Sequence, residues 1–119
     1  FAAILAGGAE LHGVRVLPPE TVRESTRRQP GARTRALGWD TGRGGGAVRP
    51  FWHTGFTGTS LWVDPASGAW AVLLTNRTYA SERRNPLPRL RRAVHRWMER
   101  GAAAEGLAGA AAGAPAGRG

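Results

Sequence analysis

Phe51-Trp52-His53-Thr54-Gly55-Phe56-Thr57-Gly58-Thr59-Ser60-Leu61-Trp62-Val63-Asp64-Pro65 is the stretch whose reading decides the fold. Two aromatic residues lead into His-Thr-Gly, a second glycine follows, and a short apolar run closes on Asp-Pro. Asp64-Pro65-Ala66-Ser67-Gly68 has the chemistry of a hairpin turn, since proline presets φ and glycine supplies φ > 0 at the end. The run Trp70-Ala71-Val72-Leu73-Leu74-Thr75-Asn76-Arg77 reads as a strand apolar on both faces. Such a strand needs cover on both sides, usually from helices. Three strands over residues 51–55, 60–63 and 70–76, joined by short connections, predict an antiparallel meander. Its polar feature is His53-Thr54-Gly55.

Upstream of this unit, residues 1–6 are apolar and stop at Gly7-Gly8, the pattern of a helix end with a glycine cap. Residues 11–17 read as a loop or small strand around Val14-Arg15-Val16. Pro18-Pro19-Glu20-Thr21-Val22 opens a short helix, because proline is tolerated in a first turn and glutamate suits its positive end. Ala36-Leu37-Gly38-Trp39 has the composition of a strand start, and the glycines from Gly42 to Gly46 read as loop. Downstream, residues 81–88 are a polar, proline-marked linker. Leu87, Leu90, Val94, Trp97 and Met98 then follow spacings of three and four, an amphipathic helix with one apolar stripe. The arginines among them, Arg91 included, are assigned to the solvated faces. From Gly101 the chain is rich in Ala and Gly and reads as a disordered tail.

The segment 51–77, with its His53-Thr54-Gly55 and its strand–Asp-Pro–strand unit, resembles the last motif block of the serine β-lactamase, penicillin-binding-protein and esterase family, most closely its class C-like members. The helix end, the Gly-rich turn and the Leu17-Pro18-Pro19-Glu20-Thr21-Val22 helix occur in the order that family has. The resemblance implies an α+β fold: the C-terminal part of a β-lactamase-like α/β/α sandwich, an antiparallel meander with a C-terminal helix packed on the sheet. It implies one domain portion over residues 1–100, with 101–119 as the tail.

By the same resemblance His53 takes the place of the motif's Lys or His and helps the reaction electrostatically. Thr54 offers a hydroxyl to the substrate, Gly55 lets substrate approach the backbone, and the Phe56 N–H is one oxyanion donor. The family's nucleophile is a Ser-x-x-Lys pair, assisted by Tyr-x-Asn. All 17 basic residues here are Arg, so Ser-x-x-Lys cannot be formed from this chain. Tyr79 is the one tyrosine, and Ser81 stands where Asn would complete the pattern. The chain also opens on Phe1 rather than Met, and the two other blocks are expected upstream of it.

Composition bounds the remaining options. At 119 residues the chain fits one domain, and without Cys it has neither disulfide nor thiolate chemistry. A net charge of +9 raises an anionic partner such as nucleic acid. The dominance of Arg, Ala, Gly and Pro reads more simply as GC-rich coding, and the aromatics sit in strands rather than among the arginines. His12, His53 and His95 are far apart, with no Cys or carboxylate at ligand spacing, so no metal and no cofactor is expected. No apolar run approaches the ~18–20 residues that span a bilayer. His53, Ser60 and Asp64 share one hairpin but lack a nucleophile elbow. The expected partners are a small acyl substrate and the rest of the same domain, with no membrane and no nucleic acid. A basic nucleic-acid-binding or structural module, or a non-catalytic remnant, is the alternative. Trp52, Trp62 and Trp70 are expected on the surface that the missing part would cover; the compartment is left open.

Overall fold

The computed structural model describes residues 1–42, 48–79 and 86–112, with the backbone alone for 102–112. The glycine run 43–46 and the linker arginines Arg83 and Arg84 therefore lie outside the described residues. Helix α1 spans Ala2–Ala6 and ends with the Gly7 N–H donating to the Ala3 carbonyl at 2.8 Å. Two left-handed residues follow, Gly8 at φ 68° and Ala9 at φ 78°, and reverse the chain. A two-residue turn follows, with His12 at φ 51° and Gly13 at φ 78°. That combination joins β1 (Glu10–Leu11) to β2 (Val14–Arg15) as a tight hairpin. Helix α2, Pro19–Thr26, carries proline at its first position and buries Val22.

Strand composition at 36–39 does not produce a strand. The Ala36 N–H donates to the Trp39 carbonyl at 3.0 Å and Gly38 sits at φ 80°, so these residues form a tight turn. Strand character passes to Asp40, which bridges Arg35 on one side and Trp52 on the other.

The meander is present as β3 (Phe51–Thr54), β4 (Ser60–Asp64) and β5 (Ala69–Leu73), in that spatial order and antiparallel throughout. The β4–β5 turn is held by Asp64. One of its carboxylate oxygens accepts the Ala66 N–H at 3.0 Å, the other the Ser67 hydroxyl at 2.7 Å. Gly68, at φ 75°, closes the turn.

Register assigns the faces, because successive side chains alternate. Phe51 pairs with Val63 and His53 with Leu61, so these four share one face with Trp70 and Val72. Phe51 and Val63 cluster there with Ala2 and Leu5 of α1, Ala9, and Val22 of α2. Burying the valine, leucine and phenylalanine side chains among them is worth about 1.5–3 kcal/mol each. Trp52, Thr54, Ser60 and Trp62 occupy the other face, where Trp52 meets His95 of the last helix at 5.4 Å between ring centroids. The sheet thus has helical cover on both sides.

That last helix, α3, runs Leu87–Ala112, past Gly101 and into the alanine-rich stretch read as a tail. Alanine has the highest helix propensity of the residues. Residues 113–119 lie outside the described part. The side that α3 turns inward is not the expected stripe. Leu87 is buried, but Leu90 is 42% and Trp97 67% exposed. Arg91, Val94, His95 and Met98 take the inner side instead, all partly buried. The expected tryptophan surface is corrected in the same way: Trp62 is only 1% exposed, whereas Trp70 does stand out from the sheet.

Candidate functional site

His53 lies on β3, the strand whose outer edge is bridged only by Asp40 among the described residues. The Trp52 N–H and C=O exchange hydrogen bonds with Asp40 at 2.9 and 2.8 Å. Alternation along an antiparallel strand then turns the N–H and C=O of Thr54 to the same outer edge, beyond that bridge. The His53 side chain is exposed, on the face shared with Phe51, and its ring meets Trp39 edge-on at 6.4 Å. Thr54 is exposed as well, but its side chain lies on the opposite face. Strand alternation therefore keeps the two polar side chains apart, and what lies between them is the backbone of the edge.

After Thr54 the chain makes a narrow loop. The Gly55 N–H donates to the Thr59 carbonyl at 2.7 Å, and the Gly58 N–H to the Gly55 carbonyl at 3.3 Å. Gly55 lies close against Thr59: a Cβ there would meet the Thr59 hydroxyl, which would have to rotate away. At the tip Phe56 is 78% exposed, and its N–H has no partner among the described residues. Three side chains brace the loop. The Thr75 hydroxyl donates to the Gly58 carbonyl at 2.7 Å. The Arg77 guanidinium donates through Nε to the Phe56 carbonyl and lies 4.4 Å above the Phe56 ring. Arg91 of α3 donates through Nη2 to the carbonyls of Gly55 and Thr59, each at 2.9 Å.

Of these, Thr75 and Arg77 fall in the segment that carries the family resemblance. Nothing in the sequence singles out Arg91, whose partners are main-chain carbonyls. One turn further on, His95 has its pKa pushed below the usual histidine range, first by burial and then by the Arg91 charge, so it is neutral near pH 7.

The hairpin trio does not form a triad. Ser60 lies on the opposite face of the sheet from His53, and both carboxylate oxygens of Asp64 are engaged in their own turn. Among the described residues no group of three His, Cys, Asp or Glu could hold a metal ion. Among them, too, no helix is long and apolar enough to cross a membrane. A cavity of about 390 Å³ opens between α1, α2 and the turn at Pro65, with Leu5, Val22 and Phe51 on its floor and Arg23 at its rim. The motif residues do not line it. The motif edge is the better candidate, because it presents an exposed imidazole and, three residues on, a backbone N–H that has no partner among the described residues.

The beta-lactamase family model matches residues 7–96, from the end of α1 into α3, with the whole of this edge included. The chain belongs to the beta-lactamase family. Membership places it with the serine β-lactamase and penicillin-binding-protein-like hydrolases, and the helices and antiparallel sheets agree with an α+β fold. No curated protein and no solved structure matches the chain.

Proposed function

We propose that this chain is the C-terminal portion of a class C-like, β-lactamase-related serine hydrolase, and that His53-Thr54-Gly55 is its third motif. The α1–sheet–α3 layering is read as the matching part of an α/β/α sandwich. The observation that carries the proposal is the exposed outer edge of β3, where the backbone of Thr54, between His53 and the Phe56 N–H in the chain, has no partner among the described residues. The reaction is acyl transfer on an ester, amide or β-lactam. A serine from a Ser-x-x-Lys pair outside these residues attacks the acyl carbonyl and loses its proton to the lysine. Negative charge gathers on the carbonyl oxygen, where the Phe56 N–H donates to it. The leaving group departs with a proton, and water then releases the acyl group from the serine.

His53 supports this from the strand by stabilising charge or orienting the leaving group, while Thr54 and Gly55 hold substrate along the edge. Histidine in place of a permanently charged lysine favours an ester or peptide-like substrate over efficient β-lactam turnover.

The test is hydrolysis of a chromogenic cephalosporin and of p-nitrophenyl esters. The 119-residue chain alone is expected to show no turnover, because it has no nucleophile–base pair. The longer protein with Ser-x-x-Lys is expected to turn over at least one of these substrates. Turnover by the chain alone that is lost on replacing Ser25, Ser60, Ser67 or Ser81 would overturn the proposal.

A further inference from the structure

Arg91 reaches the motif loop from the far side of the sheet, and the loop's peptide geometry gives that contact a consequence. Leu87 seats the start of α3 against Gly58: a Cβ on that glycine would stand 3.1 Å from Leu87 Cδ1. One turn later, Arg91 Nη2 donates to the carbonyls of Gly55 and Thr59, both at 2.9 Å. These carbonyls stand at the two ends of the loop that has Phe56 near its tip. The Gly55 carbonyl and the Phe56 N–H belong to one peptide unit. That unit is planar and trans, so its C=O and N–H point in opposite directions. Holding the carbonyl towards α3 therefore turns the N–H away from α3. A cation on the carbonyl also polarises the whole peptide and makes its N–H a stronger donor.

We infer that Arg91 is a positioning residue for the hydrolytic site: it fixes and polarises the Gly55–Phe56 peptide so that the Phe56 N–H serves as an oxyanion donor. The inference rests on the proposed hydrolase function. Glycine at position 55 makes the contact more important, because a peptide next to glycine turns over easily unless it is held. The loop's own hold on the Gly55 carbonyl is the Gly58 N–H at 3.3 Å, a longer contact than that of Arg91. Lysine could not replace Arg91 fully, since its donor nitrogen sits one atom nearer the backbone than Nη2 and its ammonium is a compact, strongly hydrated point charge. His95, one turn along the same side of α3, is neutral and packs on Trp52, so it places no second charge beside the guanidinium.

The experiment compares wild type, Arg91→Lys, Arg91→Met and the exposed neighbour variant Arg92→Met in the full-length hydrolase. Two readouts are taken: hydrogen exchange of the peptide covering residues 54–60, and steady-state kinetics on an activated ester. In Arg91→Met the loop is expected to exchange about tenfold faster, the scale of one lost charge-assisted hydrogen bond. Protection of β4 should persist. The kcat of that variant should fall by up to about 10²-fold with KM near wild type, as for a lost oxyanion donor. Arg91→Lys should fall between the two, and Arg92→Met should match wild type.

Unchanged loop exchange in Arg91→Met overturns the inference, and so does faster exchange with wild-type kcat, which would make the contact structural only. If Arg91→Met loses β4 protection as well, Arg91→Lys decides: a folded protein with lowered kcat supports the inference, and wild-type kcat overturns it. A wild-type protein with no hydrolysis at all would count against the hydrolase function, while the exchange arm would still show whether Arg91 holds the loop.

Discussion

His53→Ala in the full-length hydrolase is expected to lower kcat/KM by about 10²-fold or more, the usual scale for a polar group acting on the transition state. The melting temperature should stay near the wild-type value. The reason for the second half is structural. The imidazole is exposed, and its ring contact is an edge-on approach to Trp39 at 6.4 Å. The register bonds of β3 to β4 are made by the His53 backbone, which alanine retains. A structural histidine would show the reverse: stability lower by roughly 1–3 kcal/mol through an unpaired partner, with activity per folded molecule intact. Kinetics and melting measured on the same purified variant separate the two, and unchanged kcat/KM with a lowered melting temperature would end the site assignment.

Gly58→Ala is expected to be the most damaging small substitution in the motif loop. Gly58 sits at φ 126°, a conformation that L-residues rarely adopt, and a Cβ there would stand 2.7 Å from the Thr75 carbonyl oxygen. Backbone strain of that kind costs about 1–3 kcal/mol, and overpacking against fixed backbone adds about 1–3 kcal/mol. The Thr75 hydroxyl bond to the Gly58 carbonyl would be disturbed as well. Gly68→Ala is the matched control, since Gly68 is also left-handed at φ 75° but nothing lies within 4 Å of a Cβ there. It should cost only about 1–2 kcal/mol, the left-handed penalty alone. Urea unfolding of both variants tests this. Equal losses would show that contact with the Thr75 backbone adds nothing.

What the sequence disclosed, it disclosed through local chemistry. Asp64-Pro65-Ala66-Ser67-Gly68 forms its turn with the proline, the glycine and an aspartate acceptor in their expected roles. The three short apolar runs with short connections form the expected antiparallel meander. Pro18-Pro19-Glu20 opens α2.

The failures are tertiary. In α3 the series 87, 90, 94, 97, 98 and the series 87, 91, 94, 95, 98 both have helical spacing, and apolarity favoured the first. The fold uses the second, because an arginine can lay its methylene stem along a buried surface while its head finds polar partners. Here those partners are the Gly55 and Thr59 carbonyls, which exist as a pair only once the loop has closed. Trp39 has strand composition but follows a left-handed Gly38, so its neighbourhood turns instead of extending. The opposed faces of His53 and Thr54 follow from alternation along β3, a constraint that the motif read as three adjacent letters conceals.

On the proposed function, this chain supplies the third motif to a serine nucleophile that it does not itself contain. Reaction of the full-length protein with a fluorophosphonate, followed by peptide mapping, tests it most directly. One phosphonylated serine is expected, within Ser-x-x-Lys and outside residues 1–119. An adduct on Ser25, Ser60, Ser67 or Ser81, or a protein that forms no adduct, would contradict the claim.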